Sequence, residues 1–148
     1  MMTDLEQTAK KGEPVFRNER VLVVDDFEKW LKIARNNLEY YGCKEIVESI
    51  EPLDANKIYQ KENFPLAFVD INFDKDNLED TQGLDLIGHW REQEYIRDGG
   101  IKKIIVAMSS LKDEDIKLMA LASGANYFID KEHFTDDFDR FVDWYKQR

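Results

Sequence analysis

The 148 residues carry 31 Asp and Glu against 21 Lys and Arg, a formal net charge of −10. That balance argues against a nucleic-acid backbone as partner, because such binding needs a cationic face, and it permits a metal site or docking to a basic surface. Apolar residues make up 43% of the chain, with nine Phe, six Tyr and three Trp, enough for one domain with a proper core.

Residues Met1–Glu19 are polar and mixed in charge, broken by Gly12 and Pro14, and read as a tail with partial order near Val15 and Phe16. The domain proper is expected over residues 20–148. Val21–Val24 is a short β-branched run that suits a strand buried on both faces. Phe27, Trp30, Leu31, Ala34, Leu38 and Tyr41 then recur at helical spacing, and Gly42 ends that helix. Ile46–Ile50 is a weaker strand, followed by a short helix over Leu53–Asn63 that Pro65 closes.

Leu66–Ile71 is the next strand. A helix over Leu84–Glu94 turns Leu84, Ile87 and Trp90 inward, and Gly99 and Gly100 make a turn. Ile101–Met108 is a strand, Asp113–Ser123 a helix ended by Gly124, and Tyr127–Ile129 a short last strand. The closing helix, Phe134–Tyr145, carries Phe134, Phe138, Phe141, Val142 and Tyr145 on one stripe.

Five strand–helix units imply an α/β fold with a parallel sheet covered on both faces. Right-handed crossovers favour an open doubly wound sheet, whose functional residues gather beyond the carboxyl ends of the strands. Those ends are Asp25 and Asp26 after the first strand, Asp70 on the third, Ser109 on the fourth and Lys131 after the fifth. Three carboxylates on one rim repel each other, and a divalent cation removes the conflict. Oxygen ligands without His or Cys suit Mg²⁺. Lys131 adds a second positive charge and Ser109 a neutral donor. The set describes a pocket for a phosphoryl group carried on a carboxylate, with Asp70 the best nucleophile. One Asp at a strand end is ordinarily a cap or turn residue. Five polar residues gathered at four strand tips are hard to obtain that way.

These pieces resemble the receiver domain of two-component response regulators. The matching stretches are Val21–Asp26, Leu66–Asn72, Gln82–Ile87, Ile104–Ser110 and Ser123–Lys131. The resemblance implies a flavodoxin-like five-stranded sheet of order 2-1-3-4-5 with five helices. It implies that Asp25, Asp26, Asp70 and the backbone carbonyl of Asn72 hold Mg²⁺. It makes Asp70 the phosphoacceptor, Ser109 the switch hydroxyl, Lys131 the phosphoryl-pairing lysine and Phe128 the rotating aromatic residue. The implied partners are a histidine kinase or histidine phosphotransfer protein and an unidentified downstream protein, with neither nucleic acid nor membrane. Two departures stand out. Glu132 replaces the proline usual after the lysine, and the loop Phe73–Gln82 is longer than is typical.

The expected activity is therefore signalling by a stand-alone receiver, with only slow self-phosphorylation and self-dephosphorylation chemistry and no enzyme turnover. A phosphorylation-independent scaffold with the same fold is the alternative, and the intact acidic pair, Asp70 and Lys131 argue against it. A phosphatase of the haloacid dehalogenase type needs Asp-x-Asp after its first strand, whereas here Asp25–Asp26 is followed by Phe27. Cys43, the one cysteine, reads as a packing residue, and His89 and His133 as solvated or packing residues. Trp30, Trp90 and Trp144 read as core residues. The acidic loop residues Asp74, Asp76, Glu79 and Asp80 lack EF-hand spacing and read as solvated. No apolar leader and no run long enough to span a bilayer is visible, so a cytoplasmic setting is expected.

Overall fold

The computed structural model describes residues 10–73, 82–98, 103–111 and 114–148. Five strands form one parallel sheet: β1 (Arg20–Val24), β2 (Glu45–Ser49), β3 (Leu66–Asp70), β4 (Ile104–Ser109) and β5 (Tyr127–Asp130). Their order is β2-β1-β3-β4-β5, as expected, and the reversal beside β1 is the switch point of a doubly wound sheet. Five helices connect and cover the strands: α1 (Glu28–Tyr40), α2 (Pro52–Lys61), α3 (Gln82–Asp98), α4 (Glu114–Ser123) and α5 (Phe134–Gln147). A single 3₁₀ turn, Lys131–His133, joins β5 to α5.

Strand alternation divides the core in two. Val21, Val23, Leu66, Phe68, Val106, Met108 and Ile129 pack under α1 and α5, together with the full apolar stripe of α5. Leu22, Val24, Ala67, Val69, Ile105 and Ala107 pack on the other face with Leu84, Ile87 and Trp90 of α3. Both faces are therefore apolar, which explains why β1, β3 and β4 read as unbroken apolar runs. β2 lies at an edge, and its Glu45 and Glu48 keep it polar, so its sequence signal is weaker.

Phe16, in the stretch read as a tail, is completely buried. Its ring packs on Tyr41, Phe138, Phe141 and Tyr145, and its backbone N–H donates to the Tyr41 carbonyl at 3.0 Å. Burying a side chain of that size contributes roughly 1.5–3 kcal/mol. Gly42 makes this possible: its φ is +87°, and a Cβ there would lie 2.8 Å from the Pro14 Cα.

β4 begins at Ile104. The residue before it is held by α3 instead of the sheet ladder: the Lys103 N–H donates to Glu94 Oε1 at 2.9 Å, and its carbonyl accepts from Arg91 Nη1 at 2.8 Å. Arg91 and Glu94 are both buried and pair at 2.8 Å, and Arg91 Nε also donates to the Gly124 carbonyl at 2.7 Å. Such a buried pair needs its remaining donors satisfied, and the Lys103 and Gly124 carbonyls and the Asn126 side chain satisfy those of Arg91. This clamp ties α3 to the end of the sheet opposite the site.

Cys43 is buried in the core, and burial pushes its thiol up. Trp90 is fully buried, stacked on Tyr59 at 3.9 Å, whereas Trp30 and Trp144 are half-buried at the edge of the α1–α5 cluster. His89 and His133 are exposed. No helix among the described residues is long and apolar enough to cross a membrane. The acidic residues Asp74, Asp76, Glu79 and Asp80, the Gly99–Gly100 turn, Ile101 and Asp113 lie outside the described residues.

Candidate functional site

The sheet register brings the strand tips to one level. Val24 pairs with Val69, Asp70 with Met108, and Ser109 with Asp130. Asp25 follows β1 directly, and its N–H donates to the Ser49 carbonyl at 3.1 Å. Lys131 follows β5 directly. Asp25, Asp70, Ser109 and Lys131 are all buried polar residues, and Asp26 is exposed. The two adjacent aspartates, equivalent as sequence, thus take different environments.

Asp25 has two jobs. Its Oδ1 accepts from the Phe27 N–H at 3.0 Å and starts the turn into α1. Its Oδ2 lies 2.6 Å from Lys131 Nζ, which also sits 2.9 Å from Asp70 Oδ1. One ammonium therefore lies between two buried carboxylates. Oxygens of Asp25, Asp26 and Asp70 lie within 4.8 Å of one another. Asp70 Oδ2 is buried with no hydrogen-bond partner among the described residues. An acceptor oxygen left bare in a buried acidic pocket is costly unless a cation or donor meets it. Three hard oxygen donors and no His or Cys make a donor set that fits Mg²⁺.

Burial raises the Asp70 carboxyl to about 7. Lys131 opposes that rise, and the Asp25 and Asp26 charges add to it. Among the described residues Lys131 is the ammonium paired with these carboxylates, against three carboxylates in the cluster.

Ser109 lies on the other side of Asp70. By strand alternation its side chain shares the face of Ala107, away from Phe68 and Met108. Its hydroxyl oxygen accepts from the Leu111 N–H at 3.0 Å and lies 3.5 Å from Asn72 Oδ1. Phe128 is half-buried on that same face. It lines a groove of about 620 Å³ between α4 and α5, with Leu111, Lys117, Leu121, Tyr127 and Arg140. The fold thus brings Asp25, Asp26, Asp70 and Lys131 together, puts Ser109 and Asn72 beside them, and leaves Phe128 one strand away.

Four supporting residues are absent from the set read out of the sequence. Gly83, the second residue of α3, has its N–H on the Ile71 carbonyl at 3.0 Å and no room for a side chain. Asp130 Oδ1 accepts from the Glu132 N–H at 3.0 Å and caps the 3₁₀ turn that carries Lys131. Asp137 in turn accepts from the Asp130 N–H at 2.9 Å. This pair of carboxylates supports the turn where Glu132 replaces proline, and no described peptide bond is cis. The fourth is Trp30, whose ring lies beside Lys131. A capping signal Asp-x-Glu is present in Asp130–Glu132, but the reach of Asp137 and Trp30 depends on tertiary packing.

A parallel sheet of this order with an acidic cluster and a lysine at its carboxyl rim defines a receiver-type signalling domain. The chain belongs to the response regulator receiver domain family, whose model matches residues 21–142. It is 27% identical to the chemotaxis protein CheY-3 of Vibrio cholerae over 115 residues, covering 78% of this chain and 82% of that protein. Among solved structures it resembles the receiver domain of the histidine kinase CKI1 from Arabidopsis thaliana, complexed with Mg²⁺ and BeF₃⁻, with a TM-score of 0.72, 20% identity and coverage of 93% and 95% of the two chains. It also resembles the Francisella response regulator 1452 receiver domain, with a TM-score of 0.70, 21% identity and coverage of 88% and 98%.

Proposed function

We propose that the protein accepts a phosphoryl group on Asp70 from a histidine kinase or histidine phosphotransfer protein and signals by a change in protein–protein contact or by onward phosphotransfer. The observation that carries this reading is the bare, buried Oδ2 of Asp70, set among two further carboxylates and one lysine. An Asp70 oxygen attacks the phosphorus of a phosphohistidine. The P–N bond breaks, its electron pair stays on the imidazole nitrogen, and an acyl phosphate forms on Asp70. Lys131 neutralises a phosphoryl oxygen, and the Ser109 hydroxyl donates to another. Asp25, Asp26, Asp70 and the Asn72 backbone carbonyl would hold Mg²⁺, which would supply charge neutralisation beyond that of Lys131.

The likeness to a receiver solved with Mg²⁺ and BeF₃⁻ supports the same ligand chemistry here. Ser109 and Phe128 form the switch: the hydroxyl moves to the phosphoryl group and the ring turns into the vacated space. We place this activity in the cytoplasm and treat residues 20–148 as the receiver, with the buried Phe16 packed on it. Intact-mass measurement after incubation with acetyl phosphate and Mg²⁺ tests the proposal. One added phosphoryl group is expected in the wild type and none in Asp70→Asn. An adduct that persists in a folded Asp70→Asn protein overturns the assignment.

A further inference from the structure

Lys131 touches more than its two carboxylates. Its ammonium nitrogen lies 5.2 Å from the centroid of the Trp30 indole. We propose that Trp30 is a positioning residue for phosphoryl transfer, its ring face holding the Lys131 ammonium where it meets the phosphoryl group on Asp70. This rests on the reading of Asp70 as phosphoacceptor.

The placement of Trp30 follows from the local fold. Asp25 Oδ1 turns the chain at Phe27, and the Trp30 N–H donates to the Phe27 carbonyl at 3.0 Å in the first turn of α1. Side chains on a helix lean toward its N-terminus, so a ring in that first turn covers the strand tip it has just left. The Trp30 ring is fixed from behind by Phe134, with centroids 6.4 Å apart, and is half-buried against the α1–α5 core. It forms a wall beside Lys131.

The wall matters because a lysine is a point charge on a flexible stem. Asp25 and Asp70 hold Lys131 while both are carboxylates. Phosphorylation changes one of those two holds, since negative charge moves from the Asp70 carboxylate out to the phosphoryl oxygens. The indole face does not change with that step. It keeps the ammonium in the pocket while its partner is exchanged. The Lys131 side chain is 4% exposed, so the cation–ring attraction acts with little water in between. Lys29 also lies near the ring, with its nitrogen 5.1 Å from the centroid, but Lys29 is exposed and its attraction is screened.

The test compares wild type, Trp30→Leu and Trp30→Phe in full-length protein. Leucine keeps apolar bulk and removes the ring; phenylalanine restores a weaker ring. Each variant is titrated with Mg²⁺ alone and then with beryllofluoride at saturating Mg²⁺, followed by NMR. Beryllofluoride affinity is expected to fall about three- to tenfold in Trp30→Leu and to recover partly in Trp30→Phe, with Mg²⁺ affinity unchanged in both. The side-chain protons of Lys131 should show a ring-current upfield shift in wild type that Trp30→Leu loses. Equal beryllofluoride affinity in wild type and Trp30→Leu overturns the role of Trp30 and leaves Asp70 as phosphoacceptor untouched. Equal losses of Mg²⁺ and beryllofluoride affinity also overturn it, because Trp30 then supports the pocket as a whole. A wild type that binds Mg²⁺ but no beryllofluoride overturns the phosphoacceptor reading itself.

Discussion

A Cβ built on Gly83 would lie 2.1 Å from the carbonyl oxygen of Asp70 and 2.5 Å from the Ile71 Cα. The start of α3 is therefore pressed against the backbone that carries the candidate phosphoacceptor. No flexible side chain stands in the way, only main chain. Gly83→Ala must push α3 or the end of β3 aside, at a cost of roughly 1–3 kcal/mol typical of overpacking. Urea denaturation should show that loss, and NMR shifts should concentrate on Asp70 and Ile71. A variant as stable as wild type, with those shifts unmoved, would contradict the close approach.

The charge on Asp70 gives a pH dependence with a defined sign. Its carboxyl is raised in the fold to about 7 from an ordinary value of 3.8, chiefly by burial. The folded state therefore binds this proton more tightly than the unfolded chain does. The resulting stability is fully present below the ordinary value and is lost as pH rises through about 7. Mg²⁺ acts on the ionised form, so its stabilising effect should be small at about pH 5 and large at about pH 8. Melting curves with and without Mg²⁺ at the two pH values measure this, with Asp70→Asn as the control that isolates the group. Asp26→Ala should lower the Mg²⁺ effect by removing one ligand while leaving the buried Asp25–Lys131–Asp70 arrangement in place. If the Mg²⁺ effect is equal at both pH values, Asp70 is not where the cation binds.

Much of this site was readable from residue order because a doubly wound parallel sheet converts strand ends into neighbours. Val21–Val24, Leu66–Val69 and Ile104–Met108 are unbroken apolar runs, so the polar residues that end them announce a rim. What residue order concealed is set by packing at a distance. Phe16 reads as no more than a partly ordered point in a polar tail, yet it is fully buried between Tyr41 and α5, where Gly42 lets Pro14 come close. Arg91 and Glu94 look like solvated helix charges, yet both are buried and hold the entry to β4. Asp25 and Asp26 look equivalent, and only the turn at Phe27 assigns one to the interior.

Glu132 occupies a position where its own N–H is used. That N–H donates to Asp130 Oδ1 and closes the turn carrying Lys131. Asp130→Ala should cost about 1 kcal/mol, as for other caps. Glu132→Pro, which restores the residue usual in the family, removes the same donor and should also destabilise. Chemical denaturation of both variants, alongside beryllofluoride titration, tests the point. A Glu132→Pro protein more stable than wild type would mean that the Asp130 cap does not hold the turn.

In the proposed switch Ser109 links the pocket to the α4–β5–α5 face, and its present bonds define what would have to change. The hydroxyl oxygen accepts from the Leu111 N–H and lies 3.5 Å from Asn72 Oδ1. Moving to a phosphoryl oxygen would mean giving up those contacts, which would free the Leu111 N–H. Phe128 is half-buried on the same face of the sheet, at the groove between α4 and α5. It has no hydroxyl, so only packing can favour an inward ring. Phe128 is already half-buried, so completing its burial contributes only part of the roughly 1.5–3 kcal/mol of a fully buried phenyl group, enough to shift a two-state balance several-fold. Leu121 of α4 is exposed and lines this groove, and Leu118 and Met119 are exposed on the same helix, so a shift of α4 alters an apolar surface open to a partner. Ser109→Ala should still take up beryllofluoride at Asp70, because Lys131 and the acidic cluster are intact. The NMR response of Phe128 and of α4 should shrink by at least half relative to wild type. A response of α4 as strong in Ser109→Ala as in wild type would show that the coupling runs by another route, such as the turn that carries Lys131 from β5 into α5.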